Sequence, residues 1–370
     1  MRESASRTHG GLRPAELAEL GVDPTAVLDF SANLSPLPPP AAVREAMARC
    51  DPAPYPDPDC LQLTRALSSR LDVPPEWILI GNGSTQLIHL VTRVFVRSGQ
   101  RPVALAPTFG EYAVATELAG GRLHPWPAQP QRGFRWNLRN KPDVLRRVAP
   151  PLLFLCNPNN PTGVYLGRDD VRALAAALTG GPLLLDEAYV DFLDAPWSSL
   201  DLAQSGRVIV LRSLTKQYGL AGLRAGYLVA RPEVVQAVRR LQPAWSVSSV
   251  AEAAALAALA DEGYLARMRQ VVTAGKAELV AGLRALGLAV HEGAANFVLV
   301  DVGDAAAFRL RLLRHGLAVR DCTSFGLPSY VRIAARGADE CGRLVEAIQQ
   351  VLDERGSASR TDRVEQGVAP

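Results

Sequence analysis

Lysine is nearly absent from this chain. Of its 40 basic residues only three are lysines, Lys141, Lys216 and Lys276, and the other 37 are arginines. Guanidinium stays protonated and cannot serve as an amine nucleophile, so any chemistry that needs an amine has few places to sit. Codon bias would give the same arginine excess, so the scarcity alone decides nothing. Cysteine is sparse too. The five cysteines (Cys50, Cys60, Cys156, Cys322, Cys341) are odd in number, scattered, and without paired metal-ligand spacing, and the five histidines are dispersed. Neither a disulfide framework nor a His/Cys metal centre is expected, and a reduced cytoplasmic compartment fits. No run of five like charges occurs. Forty basic against 37 acidic residues leave a net charge of +3, which is no footprint for duplex nucleic acid. The stretch from Met1 to Gly11 lacks the apolar core of a signal peptide. The Ala/Leu-rich segment from Val250 to Ala260 is too short for a bilayer and carries Glu252. Neither a nucleic acid nor a membrane is an expected partner.

What is present suits a soluble enzyme. The 370 residues are 48% hydrophobic and 21% charged, enough for two modest domains and too apolar for general disorder. No internal repeat is visible. From Trp77 to about Ala230, short apolar runs alternate with helical patterns. The runs are Ile78–Ile80, Val103–Leu105, Leu152–Cys156, Leu183–Leu185, Val208–Leu211 and Tyr227–Val229. Such runs predict buried strands of an α/β sheet. After Trp245 the pattern becomes long Ala/Leu/Arg helices, a strand-like segment at Asn296–Val300, and a final amphipathic helix carrying Leu344, Val345, Ile348, Val351 and Leu352 on one face. The expected division is an extended N-terminal arm at 1–45 belonging to a small domain, a large domain at 46–245, a small C-terminal α+β domain at 246–354, and a disordered tail at 355–370.

Four segments carry chemistry. Lys216 follows the apolar run ending at Leu211, on a loop at a strand end where α/β sheets bind ligands. A solvated surface charge is the ordinary alternative. Asp186 ends the run Leu183–Leu185, and a buried acid there needs a partner, such as a protonated pyridine nitrogen; capping a helix is the alternative. Tyr189 lies three residues on, within reach of the same ligand. The turn Cys156-Asn-Pro-Asn-Asn160-Pro161-Thr-Gly163 is stiffened by two X-Pro steps, and Asn160 offers an amide donor to a phenolate oxygen. Gly81-Asn82-Gly83-Ser84-Thr85 joins a strand to a helical segment, as an anion site requires, while Ser213 and Arg224 flank Lys216 at spacings that let them meet the same phosphate.

Together these segments resemble the fold-type-I pyridoxal-phosphate enzymes of the aminotransferase class I/II branch, from His9 to about Leu352. The resemblance implies an α/β fold with a large domain built on a mostly parallel seven-stranded sheet and a smaller C-terminal α+β domain. It implies pyridoxal 5'-phosphate (PLP) as cofactor, held by Lys216 as a Schiff base. Asp186 would pair with the pyridine nitrogen, Tyr189 and Asn160 would contact the ring oxygen, and Phe109 of Pro107-Thr-Phe-Gly-Glu-Tyr112 would stack on the ring. Ser84, Thr85, Ser213 and Arg224 would hold the phosphate. Tyr55 would reach the cofactor phosphate of the neighbouring subunit, implying a homodimer with shared active sites. Arg332 would grip the α-carboxylate of a small phosphorylated amino-acid substrate.

Within the branch, His9-Gly10-Gly11, Leu28-Asp-Phe-Ser31-Ala-Asn33 and Pro243-Ala-Trp245-Ser-Val247 look like the cobalamin-pathway threonine-phosphate decarboxylases, as does the pair Arg320 and Arg332. That resemblance implies decarboxylation of threonine phosphate to 1-aminopropan-2-yl phosphate, with His9 near the substrate phosphate and Asn33 and Asn160 among the substrate contacts. The alternative is an aminotransferase of the histidinol-phosphate type. Gln86 in place of a usual Glu, Ser35 in place of a usual Asn, and a shortened segment Cys322–Tyr330 depart from the pattern. Decarboxylation and transamination use the same groups and differ in which Cα bond stands perpendicular to the ring. A non-catalytic PLP-binding sensor is a more remote reading, since the arm is too short and Pro-rich for a DNA-binding domain.

Overall fold

The computed structural model describes residues 10–365. Two compact units divide them. One holds Leu34–Gln270 with Gly293–Ala295, and the other holds 10–33, Val271–Glu292 and 296–365. In chain order the strands are β1 (Leu28–Asp29), β2 (Ile78–Asn82), β3 (Val103–Ala106), β4 (His124–Pro127), β5 (Leu153–Cys156), β6 (Leu183–Asp186), β7 (Val208–Ser213), β8 (Ala225–Val229), β9 (Ala289–Glu292), β10 (Phe297–Asp301), β11 (Leu317–Ala318), β12 (Arg320–Asp321) and β13 (Tyr330–Ala334).

The first unit is built on a seven-stranded sheet in the order β2-β8-β7-β6-β5-β3-β4. Only β8 runs against its neighbours. Strands β5 and β6 are buried at every residue because helices cover both faces, which is why they read as unbroken apolar runs. The helix Gly83–Phe95 buries Leu87, Ile88, Leu90 and Val91 in the same core as Phe154 and Leu184. The helix Arg168–Ala177 opens with Asp169 and Asp170, acids that suit the positive end of the helix dipole. The helix Ser249–Ala260 belongs to this unit because it packs on the helices Ala41–Ala48 and Leu61–Leu71. The change of unit along the chain therefore comes at 270, later than the composition shift after Trp245.

The second unit has a four-stranded antiparallel sheet, β12-β13-β10-β9, and a parallel pair, β1 with β11. The long helix Ala338–Glu365 buries Leu344, Ile348 and Val351 against Val298, Val300, Val331 and Ile333. It continues past position 355, where the composition suggested a tail. The N-terminal segment is not simply extended. A helix at Pro14–Glu19 buries Leu17 against Leu313 and Ala318, and Glu16 accepts two hydrogen bonds from the Arg309 guanidinium at 2.5 and 2.7 Å.

The three lysines occupy different surroundings. Lys141 opens the helix Lys141–Val148, and its ammonium lies 4.2 Å from the centre of the Trp126 ring. Lys276 is half-buried, and burial pulls its pKa down against the charge of Glu292.

Among the described residues, no helix is long and apolar enough to cross a membrane. The five cysteines are all free.

One buried ion pair links the ends of β6 and β7. Arg212 Nε donates to Glu187 Oε2 at 2.9 Å, with the Glu187 side chain fully buried. Removing one partner of such a pair leaves a buried charge uncompensated. Glu187→Ala is expected to lower unfolding stability by about 3–5 kcal/mol in urea denaturation. Glu45→Ala, which breaks an exposed pair with Arg49, should cost less than about 1 kcal/mol.

Candidate active site

Strand direction assembles the site. β3, β5, β6 and β7 are parallel, so their C-terminal ends share one edge of the sheet. Two antiparallel pairings, β7 with β8 and β8 with β2, restore the direction, so β2 also ends on that edge. The reversed β8 starts there. Ligands of open α/β sheets bind at this C-terminal edge. It carries Gly83 after β2, Phe109 after β3, the 156–163 turn after β5, Asp186, Ser213, and Arg224 just before β8.

The phosphate-type cradle is the most constrained part. Asn82 pairs with Ala225 and Ser213 with Gly226 across the sheet. A Cβ on Gly226 would lie 2.6 Å from the Ser84 amide nitrogen, so β8 can approach the start of the helix Gly83–Phe95 only without a side chain there. Gly83 has φ +71°, and a Cβ on it would meet the Arg224 guanidinium at 2.6 Å. Arg224 takes the left-handed conformation, φ +58°, and donates to the Ala221 carbonyl at 3.0 Å. The Ser213 and Thr215 hydroxyls are 2.6 Å apart, and the Thr215 amide donates to Ser213 Oγ at 3.2 Å. Ser84, Thr85, Ser213 and Arg224 are thus gathered at one helix N-terminus with a guanidinium across it, an arrangement that fits a phosphate dianion.

Asp186 is buried at the end of β6. Burial pushes its carboxyl pKa up, while the Tyr112 hydroxyl, the Ala188 amide and the charge of Lys216 push it down. Tyr112 donates to Oδ2 at 2.7 Å and the Ala188 N–H to Oδ1 at 3.0 Å. Asp186 caps no helix. Lys216 acts electrostatically on both Asp186 and Cys156, so the structure brings amine and carboxylate together. Its carbonyl accepts from the Ser35 amide at 2.8 Å, and Ser35 Oγ lies 2.9 Å from the Tyr264 hydroxyl. That gives a local role to a serine that the sequence pattern marked only as a departure.

The turn after β5 is fixed by asparagine side chains. Asn157 bonds both backbone groups of Leu166, and Asn159 spans the Thr108 hydroxyl, the Pro107 carbonyl and Thr162. Asn160 and Tyr189 are both buried beside this edge. Phe109 meets Tyr112 edge-to-face, with ring centres 5.8 Å apart and planes at 88°.

The second unit holds the two arginines that the sequence pattern paired as carboxylate binders. Arg320 of β12 and Arg332 of β13 are direct register partners and are 6% and 4% exposed. Burial, then the charge of Arg332, pulls the Arg320 pKa down to about 10. Arg320 donates to Ser324 Oγ at 2.6 Å, and Arg332 to the Ser31 carbonyl at 2.7 Å. Gly10 lies against Ser31 and Arg332, closer than a Cβ would allow. Asn33 is buried. His9 lies outside the described residues.

Several contributors went unread in the sequence. Tyr112 stands three residues after Phe109 at the start of the helix Glu111–Leu118, and that helical offset was the available signal. Gln217 donates to the Asp191 carboxylate at 2.9 Å and to the Ser213 carbonyl at 2.7 Å, tying the Lys216 loop to the Tyr189 turn. No local pattern announces that contact. Gln86 accepts from the Asn82 amide at 2.9 Å and donates to Ser246 at 3.1 Å. Tyr55 is 78% exposed, and its ring stacks on Trp245 with centres 4.4 Å apart.

Gly226→Ala should weaken PLP binding at least about tenfold, or about 1.4 kcal/mol, in a fluorescence titration of the apo-protein. Gly222→Ala is the matched control, because nothing lies within 4 Å of a Cβ there.

Residues 25–348 match the family Aminotransferase class I and II. A histidinol-phosphate aminotransferase of Symbiobacterium thermophilum is 38% identical over 341 residues, which cover 91% of this chain and 93% of that protein. One from an Anaeromyxobacter species is also 38% identical, over 95% of this chain and 94% of its own. The crystal structure of histidinol-phosphate aminotransferase from Sinorhizobium meliloti in complex with pyridoxal-5'-phosphate superposes with a TM-score of 0.81 at 28% identity, covering 95% of this chain and all of that one. These relatives overturn the expected threonine-phosphate decarboxylase, and with it the lyase chemistry and the place in cobalamin synthesis. The chain belongs to the aminotransferase class I and II family, whose cofactor is pyridoxal 5'-phosphate.

Proposed function

We propose that the chain is a histidinol-phosphate aminotransferase, moving an amino group between histidinol phosphate and 2-oxoglutarate. The observation that carries this reading is the 38% identity to proteins of that name over more than nine-tenths of the chain. The donor set at the sheet edge supports it. Bound PLP supplies an electrophilic carbon and an electron sink.

The chain's own residues would do the rest. Ser84, Thr85, Ser213 and Arg224 hold the phosphate. Phe109 would stack on the ring, and Asn160 and Tyr189 would take its oxygen. Asp186 would keep the pyridine nitrogen protonated. Lys216 Nζ would act as the base that accepts the proton from the substrate's α-carbon. Arg320 and Arg332 are assigned to the anionic end of each substrate in turn. That end is a phosphate in histidinol phosphate and a carboxylate in glutamate, and a buried pair of guanidiniums suits both. Asn33 is assigned to the substrate. Tyr55, exposed on a single chain, is assigned to the cofactor phosphate of a second copy in a homodimer.

Histidinol phosphate with 2-oxoglutarate should yield glutamate, and O-phosphothreonine should release no carbon dioxide. Lys216→Ala should lose the visible absorption of the lysine-linked cofactor together with all turnover. Arg332→Ala should raise KM for histidinol phosphate at least about tenfold. Absence of glutamate from the wild-type mixture would refute the assignment.

A further inference from the structure

One side chain reaches both a residue at the cofactor's nitrogen and a residue at its face. Tyr112 is fully buried in the first turn of the helix Glu111–Leu118. Its ring stacks on Phe154 of β5, with centres 4.8 Å apart and planes at 15°. Its edge meets Phe109 at 88°. Its hydroxyl donates to Asp186 Oδ2 at 2.7 Å. The phenol is therefore located by the sheet and acts on two groups far apart in the sequence.

We propose that Tyr112 is a positioning residue, whose hydroxyl fixes the Asp186 carboxylate as an oriented anion while its ring edge sets the plane of Phe109. This rests on the reading above, in which Asp186 and Phe109 touch the cofactor. Each carboxylate oxygen has one donor, Tyr112 on Oδ2 and the Ala188 N–H on Oδ1. The carboxylate plane is thus fixed, and a lone pair on each oxygen is left for the pyridine N–H. The phenol stays a donor because burial and the charge of Asp186 hold it protonated. Burial raises the Asp186 pKa, and donation from Tyr112 lowers it again, which would favour leaving the shared proton on the ring nitrogen. The groups facing this phenol are Asp186 and Cys156. The Cys156 thiol is itself kept neutral by burial and donates to the Pro158 carbonyl at 3.2 Å. No other side chain supplies Asp186 with a hydrogen bond among the described residues.

Tyr112→Phe tests this in the PLP-loaded full chain, since it removes one oxygen and keeps both ring contacts. Its melting temperature should stay close to wild type. The pH midpoint of the visible cofactor band should shift, and kcat should fall about tenfold or more while KM stays within twofold. Cofactor affinity, measured by titrating apo-protein, should weaken several-fold. Asp186→Asn should be worse in each respect, and Tyr112→Phe with Asp186→Asn should be no worse than Asp186→Asn alone, because the hydroxyl acts through that carboxylate. Tyr112→His, which restores a ring N–H donor, should recover part of the band's titration. An unchanged band and kcat in Tyr112→Phe, or losses that simply add in the double variant, would overturn the proposal. A wild-type protein without a visible band, or a Lys216→Ala variant that keeps it, would instead overturn the cofactor reading itself.

Discussion

A carboxylate buried at the end of a central strand governs this molecule. Asp186 sits where the apolar run of β6 stops, under full burial that disfavours its charge. The surrounding protein holds the charge there by three means: a phenol from the helix after β3, a backbone amide from its own turn, and the ammonium of Lys216 from the loop after β7. Each comes from a different element. Their convergence depends on parallel strands delivering their C-terminal ends to one edge.

The second buried pair serves the same edge differently. Glu187 follows Asp186 and Arg212 precedes Ser213, so their contact ties the turn that carries the carboxylate to the end of the strand that carries Ser213. Gln217 repeats the connection one turn further on, reaching Asp191 and the Ser213 carbonyl. The loop of Lys216 and the turn after Asp186 are thus tied to each other by polar contacts. Glycine makes the remaining corner possible. Without a bare backbone at Gly226, β8 could not lie against the Ser84 amide, and without one at Gly83, Arg224 could not stand across the helix start.

Much of this was legible in the chain. The apolar runs gave β2, β3 and β5 to β8 because buried parallel strands need no polar alternation. Lys216, Asp186 and Asn160 stood out because each is a polar residue beyond such a run, and Arg224 by its spacing from Lys216. Tyr112 and Gln217 did not stand out. Their partners lie tens of residues away, and nothing in the local spacing distinguishes a buried phenol that donates to an acid from one that only packs. The N-terminal segment was misread as extended because a short helix with one buried leucine leaves little periodic signal. The choice between decarboxylation and transamination was also misread. The groups are common to both, and the rotation of substrate that separates them has no local sequence correlate.

The sequence by itself determined which residues are chemically able to act: a single lysine beyond a buried strand, an acid closing another, a bare-backbone turn opening a helix. Those follow from residue type and from periodicities of a few positions. Only the tertiary structure decided their company. It set Tyr112 against Asp186, Arg224 over Gly83, and Arg320 opposite Arg332, because register and strand direction, not proximity in the chain, determine which charges share a buried space.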